Sequence, residues 1–201
     1  MIPEIGELRI KAERIGTVRE VKQLLTDLEN AYNSIYVFLL LGEELSQIKY
    51  HGRFFEYKMS LIQRAMREDY PYDLFVQELT EKIDLIVSPG ERLTISKINF
   101  QSPGYWEFLG LWEPLLEISK FLKYLVKLWR DSKHATMFDD YKSYLQIMEM
   151  ENEIIIQKIK ILESLGYTKP KIRQFLKTML DNPFQKLRIH FIEGIINGVE
   201  D

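Results

Sequence analysis

Two kinds of hydrophobic spacing alternate along the chain, and the rarer one predicts strands. Residues 7–14 alternate apolar and charged side chains, which is the period-two pattern of a half-buried strand. Arg92–Phe100 is rich in β-forming residues, and Tyr105–Leu109 follows it after a Ser-Pro-Gly turn. These two segments can pair as a hairpin, and residues 7–14 form the natural third strand because a lone hairpin is marginal in water. The pattern predicts a small antiparallel sheet of two or three strands.

Helical spacing, with apolar residues three and four apart, covers most of the remaining chain. A capping box made by Thr17 and Glu20 precedes a long helix, which we predict to end near Gly42 and, from its wide apolar face, to be central. The other predicted helices are two between residues 55 and 86, one from Pro114 to about Lys133, one from Thr136 to Leu165 that stops at Gly166, and two over 169–180 and 183–197.

The fold class predicted from these elements is mainly α within the α+β class. We expect a bundle of about seven helices, a small two- to three-stranded antiparallel sheet and one long coiled-coil-like helix. No repeat, low-complexity stretch or linker divides the 201 residues. The chain is therefore predicted to be a single domain over 1–201, with an N-terminal α+β portion, 1–135, and a C-terminal helical portion, 136–201.

The most specific pattern is a heptad seam in the predicted helix over 137–165. Strict three-four spacing from Phe138 to Leu162 keeps one apolar row on the same face of the helix. Asn152 lies in the middle of this row, where a polar residue lowers stability but fixes the register. The seam predicted to join two copies of the chain consists of Tyr141, Leu145, Met148, Asn152, Ile155, Ile159 and Leu162.

A second apolar row on the same helix leaves the assignment of the two faces open. It contains Ile147, Ile154 and Ile161, so one row can face the domain core while the other faces a second copy. Acidic residues precede basic ones along this helix, which favours an antiparallel pair, whereas a parallel pair would bring Asn152 against Asn152. The alternative is that one chain buries both rows. We expect a homodimer.

Composition and charge exclude several classes of protein. The net charge is −3, and the absence of cysteine excludes disulfides, thiolate zinc sites, iron–sulfur clusters and cysteine nucleophiles. The most apolar run, Ile35–Leu41, is too short to cross a bilayer, and the N-terminus lacks the pattern of a secretion signal. These features predict a cytoplasmic protein without a membrane partner.

No pattern in the sequence predicts catalytic, cofactor-binding or metal-ligating residues. His51, His134 and His190 lie far apart, and none has the paired spacing of a zinc-binding helix. Gly104 and Gly110 lack the lysine and hydroxyl residue of a phosphate-binding loop, and no nucleophile-elbow motif is present. We therefore expect no cofactor and favour a non-enzymatic role, with an enzyme whose site is invisible in the sequence as an alternative.

The charge distribution offers a second kind of site. Residues 131–157 hold two basic and six acidic side chains, whereas residues 158–190 hold eight basic and two acidic ones. Gly166-Tyr167-Thr168 between two helices resembles a helix-turn-helix, and phosphates favour such a basic cluster. Alternatively, the acidic residues of 131–157, in the same chain or in a second copy, could pair with these basic residues. The candidate nucleic-acid contacts are Lys169, Lys171, Arg173, Lys177, Lys186 and Arg188.

One stretch resembles a group of known sequences. The segment from Leu93 to Gly110, with its Ser-Pro-Gly turn, resembles the strand, Ser-Pro turn, strand and following helix of a number of uncharacterised bacterial proteins. The opening helix is similar through Leu25, Leu28, Glu29, Ala31, Tyr32, Asn33 and Tyr36. The two stretches cover less than a third of the chain. The resemblance implies a bacterial, cytoplasmic protein and transfers no catalytic residue.

Together these patterns favour a non-enzymatic helical module that pairs through the 138–162 seam and engages another protein. A nucleic-acid-binding protein that uses the basic helices over 158–190 is the main alternative.

Overall fold

A four-stranded antiparallel sheet with helices packed against it forms the core of the computed structural model. The structure describes residues 4–12, 16–46, 53–99, 101, 103–131 and 152–200. The strands are β1 (Ile5–Ala12), β2 (Thr94–Asn99), β3 (Gly104–Leu111) and β4 (Ile196–Glu200), in the spatial order β2-β3-β1-β4. The helices are α1 (Val18–Ser46), α2 (Arg53–Ala65), α3 (Tyr72–Glu81), α4 (Ile83–Ile86), α5 (Trp112–Asp131), α6 (Glu153–Ser164), α7 (Lys169–Leu176) and α8 (Asn182–Ile192).

The predicted fold class is wrong in its sheet. Three of the strands lie close to the predicted segments, but a fourth, β4, occupies residues that helical spacing had assigned to the last helix. That helix ends at Ile192, because Gly194 adopts a left-handed conformation (φ 71°) and the N–H of Ile195 donates to the carbonyl of His190. The protein is thus an α+β fold with a four-stranded sheet, and not a helical bundle with a two- or three-stranded sheet.

The sheet has one apolar and one charged face, because strand residues alternate in direction. Leu8 pairs with Phe108 and Ile10 pairs with Trp106, and all four side chains are buried. Arg9 and Lys11 point to the other face, where Arg9 faces Glu107 on β3. The helices that cover the apolar face include α5 and α8, so the core lies between them and the sheet.

α1 is the central helix, as its wide apolar face predicted. The capping box is confirmed: the Glu20 N–H donates to the Thr17 hydroxyl (3.3 Å), and the Thr17 N–H donates to the Glu20 carboxylate (2.6 Å). From this start α1 extends to Ser46, past the predicted end near Gly42. It packs against α3, α5, α6 and α8.

The predicted long helix does not run continuously from Thr136 to Leu165. Asn152 has an extended backbone (φ −84°, ψ 103°) and α6 begins after it, at Glu153. The Asn152 Oδ1 accepts hydrogen bonds from the N–H groups of Ile154 (3.1 Å) and Ile155 (3.4 Å), which makes it a helix cap. A cap at this position is incompatible with a single coiled-coil helix over 137–165. The predicted end is confirmed, because Gly166 has a positive φ of 83°.

The two predicted helices over 169–180 and 183–197 are in fact one helical run. α7 passes through a π-helical segment, Lys177–Asp181, into α8 without leaving the helical region. Pro183 supplies a reason, since proline has no N–H and its ring would clash with the carbonyl four residues earlier in a regular α-helix. A wider turn relieves that conflict and lets the helix continue. Among the described residues, no helix is long and apolar enough to cross a membrane.

Candidate functional site

Five exposed cations lie along the C-terminal helical run, and this set of residues is here termed the basic face. Four of them lie on α7 or at the start of the π segment, and one lies on α8: Lys169, Lys171, Arg173, Lys177 and Lys186. None of the five forms an ion pair or a hydrogen bond with another described side chain. Arg188, the sixth predicted contact, is half-buried and has interactions of its own.

Three members of the basic face form a straight row. Lys169, Arg173 and Lys177 are four residues apart, and residues four apart lie on the same side of an α-helix. The row extends over about 12 Å, since each residue adds about 1.5 Å along the axis. These three cations are thus held at regular intervals along one side of the run, whereas Lys171, two residues after Lys169, points about 200° away from it.

The opposite side of the same helical run anchors it in the core. Ile172, Phe175 and Met179 are buried, and Phe175 packs against Phe38 of α1 with ring centroids 5.9 Å apart. The buried Thr178 hydroxyl donates to the carbonyl of Ala65 at the end of α2 (3.2 Å). The basic face is therefore carried by a helix whose orientation is fixed by packing and by a buried hydrogen bond.

α6, the turn after it and α7 have the outline that the sequence suggested for a helix-turn-helix. α6 has 12 residues, far fewer than the predicted helix over 137–165, and residues 165–168 connect it to α7. The Tyr167 N–H donates to the carbonyl of Leu162 (3.1 Å), which closes the end of α6. A first helix of this length is compatible with a helix-turn-helix.

A buried polar pair connects α8 to α1. The Nε2 of His190 lies 2.8 Å from Oδ2 of Asp27, and these residues are only 3% and 7% exposed. The side-chain amide of Gln23 donates to both oxygens of Asp27 at 3.1 Å. Burial raises the pKa of Tyr72 on α3, and the nearby charge of Asp27 adds to this shift. His190 thus pairs with a residue 163 positions away, and not with Glu193 one turn along the same helix.

The outer face of the sheet is a second polar surface, where Arg9 and Lys11 are paired with carboxylates. Tyr105 is partly exposed there, with the Arg9 guanidinium 4.9 Å and the Lys97 ammonium 5.3 Å from its ring centroid. Arg9 forms ion pairs with Glu107 and Glu200, and Lys11 pairs with Glu200 at 2.5 Å. Trp106 and Phe108 of the same strand as Tyr105 are buried in the core. Phe100 lies outside the described residues.

The described half of the predicted dimer seam faces the chain's own core. Ile155 and Leu162 are 2% and 1% exposed, and Ile159 is partly buried against the same core. The Nδ2 of Asn152 donates to the buried Glu117 of α5 (2.8 Å), so its polar group is satisfied within the chain. Tyr141, Leu145 and Met148 lie outside the described residues. The coiled-coil interpretation of this row is therefore wrong where the structure describes it.

The side chains of the described ranges do not assemble a metal centre. No group of three or more histidine and carboxylate residues is close enough there to hold a metal ion. The sequence missed the Asp27–His190 pair because the two residues belong to helices at opposite ends of the chain. The sequence did contain one indication of a buried polar contact, because each residue lies within an otherwise apolar helix face, beside Leu28 and Phe191.

Comparison with known proteins identifies no relative. No protein-family model, no curated protein and no solved structure matches this chain.

Proposed function

We propose that the chain is a cytoplasmic, non-enzymatic module that binds nucleic acid through the basic face. The observation that carries the proposal is that five exposed cations on one anchored helical run lack an anionic partner among the described side chains. Neutralising phosphates with such cations releases condensed counterions, which is the main source of affinity in non-specific nucleic-acid binding.

The outline of α6, the turn and α7 supports the same role. In helix-turn-helix proteins the second helix approaches the nucleic acid, and here that helix carries most of the basic face. The outer face of the sheet supports the role less well. Arg9 and Lys11 form ion pairs there with Glu107 and Glu200, so their charges are already neutralised.

The test is binding of fluorescent DNA and RNA at low salt by fluorescence anisotropy. The variant that replaces the straight row, Lys169→Gln with Arg173→Gln and Lys177→Gln, should lose affinity by about tenfold or more because three phosphate contacts disappear. Its thermal stability should change little, since all three side chains are exposed. Absence of binding by the wild-type chain would reject the proposal.

A matched control removes the same charge elsewhere. Arg19 and Lys22 on α1 and Lys127 on α5 are also exposed, so their replacement by glutamine changes the net charge equally. Affinity should stay close to that of the wild type in this control. An equal loss of affinity in both triple variants would mean that net charge, and not the basic face, determines binding.

Self-association is a second candidate function, and the second apolar row of α6 favours it. Ile154 and Ile161 remain partly exposed and Leu165 is exposed, although the neighbouring Ile155 and Leu162 are buried. These three positions fall on one side of the helix. A second copy of the chain would cover this row, as the sequence allowed, instead of the seam.

Sedimentation velocity tests this candidate. Ile161→Asp should convert a dimer to a monomer, because a charge would be buried at the contact. Ile156→Asp is the control, since Ile156 is also half-buried but lies on another side of α6. A monomeric wild-type chain at tens of micromolar would reject self-association.

A further inference from the structure

We infer that the ligand of the basic face is the sugar–phosphate backbone of a duplex, bound without regard to base sequence. The inference rests on the nucleic-acid role proposed above and specifies its ligand. It follows from the side chains present on the face, the side chains missing from it and the spacing of its charges.

The side chains on the face are suited to phosphates and poorly suited to bases. Four of its five cations are lysines, which act as point charges, and only Arg173 has the planar fork that reads guanine edges in a bidentate manner. Asparagine and glutamine, the usual readers of adenine, are represented on the exposed part of α7 and α8 by Gln185 alone. The face thus offers charge with little capacity for base recognition.

The exposed side chains of the described run 168–193 include no aromatic residue. Proteins that bind single strands stack successive bases on aromatic side chains, and this stacking supplies much of their affinity. The aromatic residues of this run, Phe175, Phe184 and Phe191, are buried on its core side. A single strand would therefore gain only charge interactions at this surface.

The spacing of the row favours the denser line of charge. Counted over both strands, a duplex carries one phosphate per about 1.7 Å of axis, which is twice the charge density of one of its strands, so the row meets a stronger negative field on a duplex. A duplex is also stiffer than a single strand. A single strand would have to be ordered before it could follow the three cations, whereas a duplex would not. The duplex is therefore the ligand that gains most from Lys169, Arg173 and Lys177.

The experiment measures the affinity of the full chain for two duplexes of unrelated sequence and for the corresponding single strands, over a range of salt. Both duplexes should bind equally within about twofold, and each more tightly than its single strands. With the three phosphate contacts of the row, log affinity should fall against log salt with a slope of about −2.7, which is about 40-fold between 50 and 200 mM salt. The Lys169→Gln, Arg173→Gln, Lys177→Gln variant should remove most of that slope, because it removes all three contacts.

The outcomes separate this inference from the proposed function. Tighter binding of single strands, or a strong preference for one duplex sequence, would overturn the inference while the nucleic-acid role stands. A wild-type slope that the triple variant leaves unchanged would place the contacts elsewhere and overturn the inference as well. Absence of binding to any nucleic acid at low salt would overturn both.

Discussion

At the scale of single residues, one tyrosine fixes how the sheet meets the central helix. The Tyr32 hydroxyl on α1 donates to the carbonyl of Glu91 and accepts a hydrogen bond from the N–H of Leu111 (2.7 Å). A Cβ at Gly110 would lie 2.8 Å from the Tyr32 ring, so glycine is needed there for a close approach. Burial raises the pKa of Tyr32 to about 12.

Tyr32→Phe should destabilise the protein by about 1–3 kcal/mol, because it leaves a buried N–H and a carbonyl without their partner. Tyr36→Phe is the control, since the Tyr36 hydroxyl reaches the Glu91 carboxylate (2.9 Å) and not these backbone groups. Urea unfolding measures both variants. A smaller effect at Tyr32 than at Tyr36 would contradict this account of the contact.

The raised pKa of Tyr32 also predicts a pH dependence. Because the folded state favours the neutral phenol, its contribution to stability is fully present below about pH 10 and is lost as the pH rises towards about 12. The stability of the wild type should therefore fall more steeply over this window than that of Tyr32→Phe. Parallel pH profiles for the two proteins would show that Tyr32 does not titrate in this way.

The Asp27–His190 pair calls for a double-mutant cycle. His190→Leu alone should cost about 3 kcal/mol or more, because it leaves the buried Asp27 with Gln23 as its remaining hydrogen-bond partner among the described side chains. Replacing Asp27 by leucine as well should cost less than the sum of the two single changes. Additive effects in chemical denaturation would mean that the two side chains do not depend on each other.

At the scale of elements, the features that depend on neighbouring residues could be predicted from the sequence, and those that depend on distant residues could not. The capping box at Thr17 and the left-handed Gly166 are set by neighbouring residues, and both are confirmed. β4 depends on pairing with β1 at the other end of the chain, so the helix predicted from local spacing was wrongly extended to Asn197. For the same reason the sequence identified the cations of the basic face but not the buried pair that connects α8 to α1.

Asn152 distinguishes the two interpretations of the heptad row. If Asn152 is a helix cap bonded to Glu117, its replacement by isoleucine should lower the free energy of unfolding by about 1–2 kcal/mol or more. As the polar member of a coiled-coil seam, the same replacement should raise stability. Thermal unfolding of Asn152→Ile decides between them, with Thr17→Ala as a reference for the loss of a cap.

At the scale of the whole molecule, unpaired positive charge among the described residues is concentrated on one helical run although the net charge is slightly negative. The chain has a net charge of −3, yet five exposed cations lie along one helical run, whereas Arg9 and Lys11 on the outer face of the sheet are paired with carboxylates. A polyanion is therefore attracted to one surface and not to the chain as a whole. The proposed role depends on this local arrangement.

The most direct test of that central claim is an NMR titration of the labelled chain with a short DNA duplex. Amide shifts should change along 168–188, around the basic face, and should diminish as salt is added. The amides of β2 and β3 near Lys97 and Tyr105 should stay unchanged. Shifts confined to the sheet, or no shifts at low salt, would contradict the account.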